Sequence, residues 1–211
     1  MVENVVHMAV YDTLADWEVG AATAHINQPD LHREPGAWQV RTVGLTTDPV
    51  TTMGGLRIVP DLALSDLRPA ESAMLILPGA DTWTTGELAP FARTARAFLD
   101  ARTPVAAICG ATFGLAAEGL LDGRRHTSNA AEFLAASGYA GANDYVAEPA
   151  VTDGDLVTAS GVAPVAFARE VLGRLDVFEP HILDAWYRVF AHSDPSAYAV
   201  LAQWQPPEAR A

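Results

Sequence analysis

The sequence predicts an α/β protein with a mainly parallel sheet. Three short apolar runs without helical spacing are typical of buried parallel strands, namely 5–11 (VVHMAVY), 73–79 (AMLILPG) and 103–109 (TPVAAIC). Helix-like segments alternate with them at 17–28, 87–102 and 111–118, and Gly119 ends the last one. This alternation indicates right-handed crossovers and places functional residues at the carboxyl ends of the strands.

Two further segments are predicted as hairpins or edge strands that flank the main sheet. Residues 50–59 are interrupted by Gly54 and Gly55, and residues 150–159 by the sequence DGD at 153–155. Residues 163–190 predict two more helices, interrupted at 176–180. A length of 211 residues without a linker or an internal repeat favours a single domain over residues 1–204, followed by a loose polar tail at 205–211.

Composition and charge exclude several classes of protein. Half of the residues are hydrophobic and 18% are charged, which excludes a disordered chain, and no apolar run approaches the ~20 residues of a membrane helix. The net charge is −13, lysine is absent and the arginines are scattered, so a nucleic-acid partner is not expected. We expect a cytoplasmic protein that binds a small-molecule substrate and no membrane. Single, scattered histidines and the lack of a Gly-rich loop with a lysine indicate no metal and no cofactor.

Cys109 is the only cysteine, and it lies where an apolar strand gives way to a helix. The small residues Ala107, Gly110 and Ala111 surround it, as the tight turn of a nucleophile elbow requires. A thiol at a helix N-terminus is favoured as thiolate, so this placement predicts a pKa below that of free cysteine. The alternatives are a small buried core residue or an intermolecular link.

Four segments together resemble a known family. They are AAICGATFGLAAEGLLDGRRHTSN (106–129), LPGADTW (77–83), ADWE (15–18) and TMGGLRIVPD (52–61). They are similar to the ThiJ/PfpI superfamily, the DJ-1-like branch of the class I glutamine amidotransferase folds. The resemblance covers nearly the whole chain, and it implies a flavodoxin-like three-layer sandwich, a strained cysteine in the elbow and a homodimer.

The resemblance also implies roles for individual residues. Glu18 lies where the family keeps an acidic residue near the sulfur, and two such acids make sense together only if they share one proton. The alternative is an exposed acid in the first turn of a helix. Backbone N–H groups of Gly79 or Ala80 and of Gly110 are the candidate donors to an oxyanion, although Pro78–Gly79 also suits an ordinary turn at a strand end.

One position departs from the family pattern. Many relatives have a histidine base after the elbow helix, and Asn129 occupies that place in the sequence HTSN. A neutral amide cannot accept a proton at physiological pH, so peptidase activity is not expected. His126 is a weaker candidate for the base, and Asp16 and Trp83 are further candidates for the lining of the site. The sequence EPH at 179–181 has the residues of an amidotransferase triad in reversed order, and we interpret it as coincidence.

Two classes of function remain open on these residues. The first is a cysteine-dependent hydrolase, lyase or amidotransferase-like enzyme that acts on a small amide or carbonyl compound, with Cys109 as nucleophile and Glu18 as proton carrier. The second is a non-catalytic protein of the oxidative stress response, in which Cys109 is oxidised and Glu18 stabilises the oxidised sulfur.

Overall fold

The structure is a computed structural model that describes residues 4–206. The strands are β1 (Asn4–Ala9), β2 (Trp38–Gly44), β3 (Val50–Thr51), β4 (Arg57–Ile58), β5 (Leu62–Ala63), β6 (Met74–Leu77), β7 (Val105–Ile108), β8 (Ala150–Asp153) and β9 (Leu156–Ala159). The α-helices are α1 (Asp16–Asn27), α2 (Ala89–Asp100), α3 (Gly110–Ala117), α4 (Ala131–Ala135), α5 (Pro164–Arg174), α6 (Pro180–His192) and α7 (Pro195–Ala202). Short 3₁₀ turns connect several of them.

Seven strands form the main sheet in the order β5-β2-β1-β6-β7-β9-β8. All neighbouring pairs are parallel except the β8–β9 hairpin at one edge. Helices α1 and α5 pack together beside the sheet, and α2 and α3 form another packed pair against β6 and β7. The predicted α/β class is confirmed as a flavodoxin-like sandwich, in which helices cover the sheet.

The central strands explain why their sequences are apolar without alternation. Every residue of β6 and β7 is buried, because helices lie over both faces of a parallel sheet. The carboxyl ends of β6, β7 and β9 lie next to one another, since these strands are consecutive neighbours in the sheet. Side chains and backbone that follow these three strands therefore meet at one edge, where the candidate site is found.

The structure differs from the sequence-based expectation at several elements. Strands β2 and β5 were not predicted, and α7 follows the two helices predicted for the C-terminal part. The 150–159 hairpin does not merely flank the sheet, because β9 pairs with β7 inside it. The 50–59 segment is a separate antiparallel pair, β3–β4, as predicted. The predicted loose tail lies outside the described residues from residue 207 onward. Across residues 4–206, the helices are too short or too polar to cross a membrane.

Candidate active site

Cys109 lies in a sharp turn between β7 and α3. Its backbone has φ 57° and ψ −124°, a conformation that a residue with a side chain rarely adopts. The Cys109 N–H donates to the carbonyl oxygen of Ala159 at 3.0 Å, so the turn is fixed to the end of β9. Ala107 and Ala111 are fully buried on either side of it. The nucleophile elbow predicted from the small residues is therefore present, and it directs the half-buried thiol away from the sheet.

Trp83 packs against α3, the helix that follows the elbow. A Cβ atom at Gly110 would lie 3.1 Å from Cδ1 of Trp83, and one at Gly114 would lie 2.3 Å from its Cε3, so α3 can approach the indole only because both residues are glycine. The indole N–H donates to the Pro78 carbonyl oxygen at 2.8 Å. Trp83 was predicted to line the site, but the structure places it beneath the elbow helix, where it holds α3 against the end of β6.

Glu18 is fully buried, with 0% of its surface exposed, in the first turn of α1. Its Oε2 accepts a hydrogen bond from the Gly79 N–H at 2.6 Å, and the Gly79 carbonyl oxygen in turn accepts from the Ala15 N–H at 3.0 Å. These two bonds fix the start of α1 to the residue that follows β6. The alternative interpretation, an exposed first-turn acid, is excluded, and the second oxygen, Oε1, lies beside the Cys109 thiol.

Burial shifts the pKa of both acids upward. Loss of solvent raises the pKa of Glu18 to about 7, against the hydrogen bonds from Cys109 and from the Gly79 N–H, which lower it. Loss of solvent also raises the pKa of the Cys109 thiol to about 11, and the Glu18 carboxylate adds to this rise by like-charge repulsion. The lowered thiol pKa predicted from the helix N-terminus is therefore wrong in direction, because desolvation outweighs it. Between about pH 7 and pH 11 the pair carries one proton, as two interacting acids do.

Asn129 contacts the sulfur directly. Its Nδ2 donates to Cys109 Sγ at 3.2 Å, while its Oδ1 accepts from the Gly161 N–H at 2.8 Å. The bond to Gly161 fixes which end of the amide faces the sulfur. The donated N–H stabilises negative charge on Sγ and lowers the thiol pKa, but it removes no proton. The position where the sequence showed asparagine in place of the family's histidine is thus in contact with the nucleophile, and it provides a donor and no base.

Neither His126 nor the EPH sequence at 179–181 lies at the sulfur. His126 is fully buried, with Nδ1 bound to the Arg124 carbonyl oxygen at 2.7 Å and Nε2 bound to the Tyr139 hydroxyl at 3.1 Å. Both ring nitrogens are used, and neither bond involves Cys109. In the EPH sequence, Glu179 forms an ion pair with Arg33 at 3.0 Å. The structure therefore does not bring either of these groups to the sulfur.

Gly161 is one of the site residues that sequence reasoning missed, together with the cavity-lining residues Trp17, Ser160, Val162 and Pro164. A Cβ atom there would lie 2.7 Å from Cys109 Sγ and 3.0 Å from Glu18 Oε1, and one at Gly79 would lie within 2.9 Å of Cys109 Cβ and of both Glu18 oxygens. The thiol–carboxyl pair is therefore enclosed between two glycines, one after β6 and one after β9. The sequence signal was weak, because SGVAP reads as an ordinary loop after a strand.

The predicted oxyanion donors are only partly available. The Gly79 N–H is engaged by Glu18 and cannot also bind a substrate oxygen. The Gly110 N–H hydrogen-bonds to the sulfur and lowers the thiol pKa. Ala80 follows Gly79 and has its carbonyl oxygen close to Gly110, since a Cβ atom on Gly110 would lie 3.1 Å from that oxygen. Of the predicted donors, the Ala80 N–H remains a candidate, and the Gly110 N–H would have to leave the sulfur to bind a substrate oxygen.

Asp16 has a structural position. Its Oδ2 accepts from the Gly54 N–H at 2.6 Å, which connects the first turn of α1 to the turn between β3 and β4. Loss of solvent acts to raise the pKa of Asp16, but the hydrogen bonds from the Thr52 side chain and from the Gly54 N–H outweigh it, so the pKa is lowered. Asp16 does not line the cavity at the sulfur. It was predicted as a lining residue, but the structure places it directly before Trp17 at the start of α1, with its carboxylate bound to the turn between β3 and β4.

An open cavity of about 420 Å³ gives access to the thiol. Its lining residues come from the start of α1, the elbow, Asn129 and the loop that leads into α5; they are Trp17, Glu18, Cys109, Asn129, Ser160, Gly161, Val162 and Pro164. Among them, Cys109 and Glu18 are the two acidic groups, and none of the eight is cationic. The cavity is large enough for a small organic molecule and lies at the carboxyl edge of the sheet.

The fold and the site define a class: α/β proteins in which a strained elbow cysteine is paired with a buried carboxyl group from the first helix. The chain belongs to the DJ-1/PfpI family, whose sequence profile matches residues 4–174. The chain is 40% identical to "Uncharacterized protease YoaZ" of Bacillus subtilis, over 92% of this chain and 93% of the relative.

Two solved structures are also similar. The thiJ/pfpI family protein from Bacillus anthracis superposes with a TM-score of 0.90 at 40% identity, and the alignment covers 96% of each chain. The DJ-1 superfamily protein Atu0886 from Agrobacterium tumefaciens superposes with a TM-score of 0.80 at 33% identity, over 90% of this chain and 98% of that one. The resemblance noted from the four sequence segments is confirmed.

Proposed function

We propose that this protein is a cysteine-dependent enzyme that acts on a small carbonyl compound, with Cys109 as nucleophile and Glu18 as proton carrier. The observation that supports this most directly is the pair itself. A strained, half-buried thiol and a fully buried carboxyl group hold one proton between them above about pH 7, and they open onto a cavity of about 420 Å³.

In the first step one proton moves from the Cys109 thiol to the Glu18 carboxylate. Sγ attacks the carbonyl carbon, so that an S–C bond forms and the C=O π bond breaks, while the thiol proton passes to the Glu18 carboxylate. Glu18 then returns this proton to the new alkoxide oxygen, which leaves a neutral adduct and a regenerated carboxylate. A pKa of about 7 suits this exchange, because a group titrating near the working pH both accepts and donates.

An aldehyde or ketone fits this site better than a peptide bond. Amide cleavage needs a second proton delivered to the leaving nitrogen and an activated water for release of the acyl group. Asn129 occupies the place of the additional base, and Glu18 is the one acid–base group beside Cys109 in the cavity lining. Two curated relatives carry the word protease in their names. For this chain a small carbonyl compound is the first substrate class to test, and a small amide is the second.

The test is a turnover assay with a panel of α-oxoaldehydes, simple aldehydes and small primary amides. We expect loss of the carbonyl substrate with the wild type, none with Cys109→Ala, and a rate at least about 100-fold lower with Glu18→Gln, which keeps the shape but cannot carry the proton. An activity that survives in Cys109→Ala, or wild-type activity in Glu18→Gln, would refute the proposed roles.

The position of Glu18 Oε1 favours a second candidate function, a redox role for Cys109. Oε1 of Glu18 is buried beside Sγ and, among residues 4–206, has no hydrogen-bond partner apart from the Cys109 thiol. In its protonated form Glu18 could donate from this oxygen to an oxidised sulfur. Two molecules of peroxide would convert the thiol first to the sulfenic and then to the sulfinic acid, with release of two molecules of water. Clean addition of two oxygens by intact mass, in a protein without turnover on the panel, would favour this redox role.

A further inference from the structure

The cavity beside Cys109 has an apolar rim. Trp17 lies in the first turn of α1 and is 53% exposed, and Val162, in the loop between β9 and α5, is 91% exposed. Pro164 continues this rim at the start of α5. Large apolar side chains that stay exposed next to a reactive group indicate a surface used for contact with a ligand.

Trp17 is held in place. Its indole N–H donates to the Gly161 carbonyl oxygen at 3.1 Å, across a separation of 144 residues. The N–H of the same Gly161 is bound to Asn129, which contacts the sulfur. The indole is therefore anchored through one residue to the group that contacts Sγ, and it presents a fixed apolar wall at the entrance of the cavity.

The charges around the thiol disfavour anions. Glu18 is the one carboxyl group in the cavity lining, no lining residue is cationic, and the whole chain contains no lysine and a net charge of −13. A carboxylate or phosphate group on a substrate would find no positive partner in this cavity and would be repelled by ionised Glu18. Pairing with Arg or Lys, the strongest means of binding a carboxylate or phosphate group, is therefore not available from the eight lining residues.

We propose that Trp17 and Val162 are specificity-determining residues, and that the site selects uncharged molecules with an aromatic or branched aliphatic group over anionic ones. This inference deepens the proposed function, since it names the substrate class at the same thiol. Its chemical basis is contact of an apolar substituent with the anchored indole and with Val162, in a cavity that offers no cation.

The experiment measures selectivity of the thiol without turnover. Cys109 is alkylated at pH 9 with iodoacetamide, iodoacetate and N-benzyl iodoacetamide, and each rate is divided by the rate of the same reagent with a small free thiol. For the wild type we expect the benzyl reagent to react about tenfold faster, and iodoacetate about tenfold slower, than iodoacetamide.

Matched variants separate the two causes. Trp17→Ala should abolish the preference for the benzyl group and leave the ratio of iodoacetate to iodoacetamide unchanged, whereas Trp17→Phe should keep most of the benzyl preference. Val162→Arg places a cation at an exposed rim position and should raise the relative rate of iodoacetate about tenfold. Tyr198→Ala, at an exposed position on α7 outside the cavity lining, is the control and should match the wild type.

The outcomes keep this inference distinct from the proposed enzyme function. Equal normalised rates for the three reagents in the wild type, or unchanged ratios in both Trp17→Ala and Val162→Arg, would refute the role of the rim. If the alkylation pattern is as expected but no carbonyl compound is turned over, the selectivity stands and the enzyme proposal fails. If turnover occurs without selectivity, the enzyme proposal stands and this inference fails.

Discussion

Replacing Glu18 by glutamine should change how the stability of the fold depends on pH. The carboxyl group is fully buried, and its pKa rises from 4.5 to about 7 because burial removes it from solvent. The folded protein therefore binds more protons than the unfolded chain between these two values, so its free energy of unfolding falls as the pH rises from about 4.5 to about 7. At about 1.36 kcal/mol per pKa unit, the loss amounts to about 3 kcal/mol.

Glutamine has the same shape and carries no charge at any of these pH values. The Glu18→Gln variant should therefore lack this loss, so that its stability relative to the wild type increases by about 3 kcal/mol between pH 4.5 and pH 7.5. Urea unfolding followed by circular dichroism, at one protein concentration and at half-unit pH steps, measures the difference. Glu87→Gln removes an exposed carboxylate and controls for the change in net charge.

A constant offset between wild type and Glu18→Gln across this pH range, within about 0.5 kcal/mol, would refute the reasoning. It would mean that Glu18 stays ionised in the folded protein at pH 5, which is incompatible with the raised pKa. Glu18 would then lack a pKa near the working pH, on which its proposed role as proton carrier relies.

Four further outcomes are expected. Gly161→Ala should slow alkylation of Cys109 at least about tenfold, since the new Cβ would lie 2.7 Å from Sγ. Gly20→Ala is the control, because the space around its Cβ position in α1 is open. It should leave the alkylation rate unchanged and stabilise the helix by about 0.5–1 kcal/mol. Asn129→Ala removes the N–H donor to the sulfur, so the thiol pKa should rise further and the alkylation rate at pH 8 should fall; an unchanged pH profile would contradict this. Cleavage of casein should be negligible, and robust cleavage that disappears in Cys109→Ala would show that the missing histidine base is not needed. We also propose a homodimer, which light scattering tests directly, and a monomer mass at all concentrations would exclude it.

Much of the fold could be predicted because the central strands are buried on both faces. Strands β6 and β7 show as continuous apolar runs, and the helices between them follow from their spacing and from Gly119. Strand β2 could not be found in this way. Its Gln39 and Arg41 are exposed, so the run WQVRTVG lacks a continuous apolar signal, and its position in the sheet depends on pairing with β1 across the chain.

The residues of the candidate site also differ in how far they could be predicted from the sequence. Cys109 could be located from local sequence, because an elbow needs small residues at fixed neighbouring positions. Glu18 could be assigned to the site only through the family resemblance, since an acidic residue in the first turn of a helix is otherwise ordinary. Gly161 could not be found, because its role arises from the approach of its backbone to a sulfur 52 residues earlier in the chain. The thiol pKa was predicted in the wrong direction, because desolvation by distant elements is not visible in local sequence.

The order of the site residues along the chain has a consequence during synthesis. Glu18 and the elbow precede Asn129 and Gly161, so the thiol is made before its hydrogen-bond donor, Asn129, and before Gly161, which holds that donor in place. At roughly 5–20 residues per second, Gly161 follows Cys109 by several seconds. Until residues 156–159 are made, β9 is absent and the Ala159 carbonyl oxygen cannot accept the hydrogen bond that fixes the elbow. During this interval the only cysteine of the chain therefore lacks the fixed turn and the Gly161-positioned donor that act on its sulfur in the folded protein.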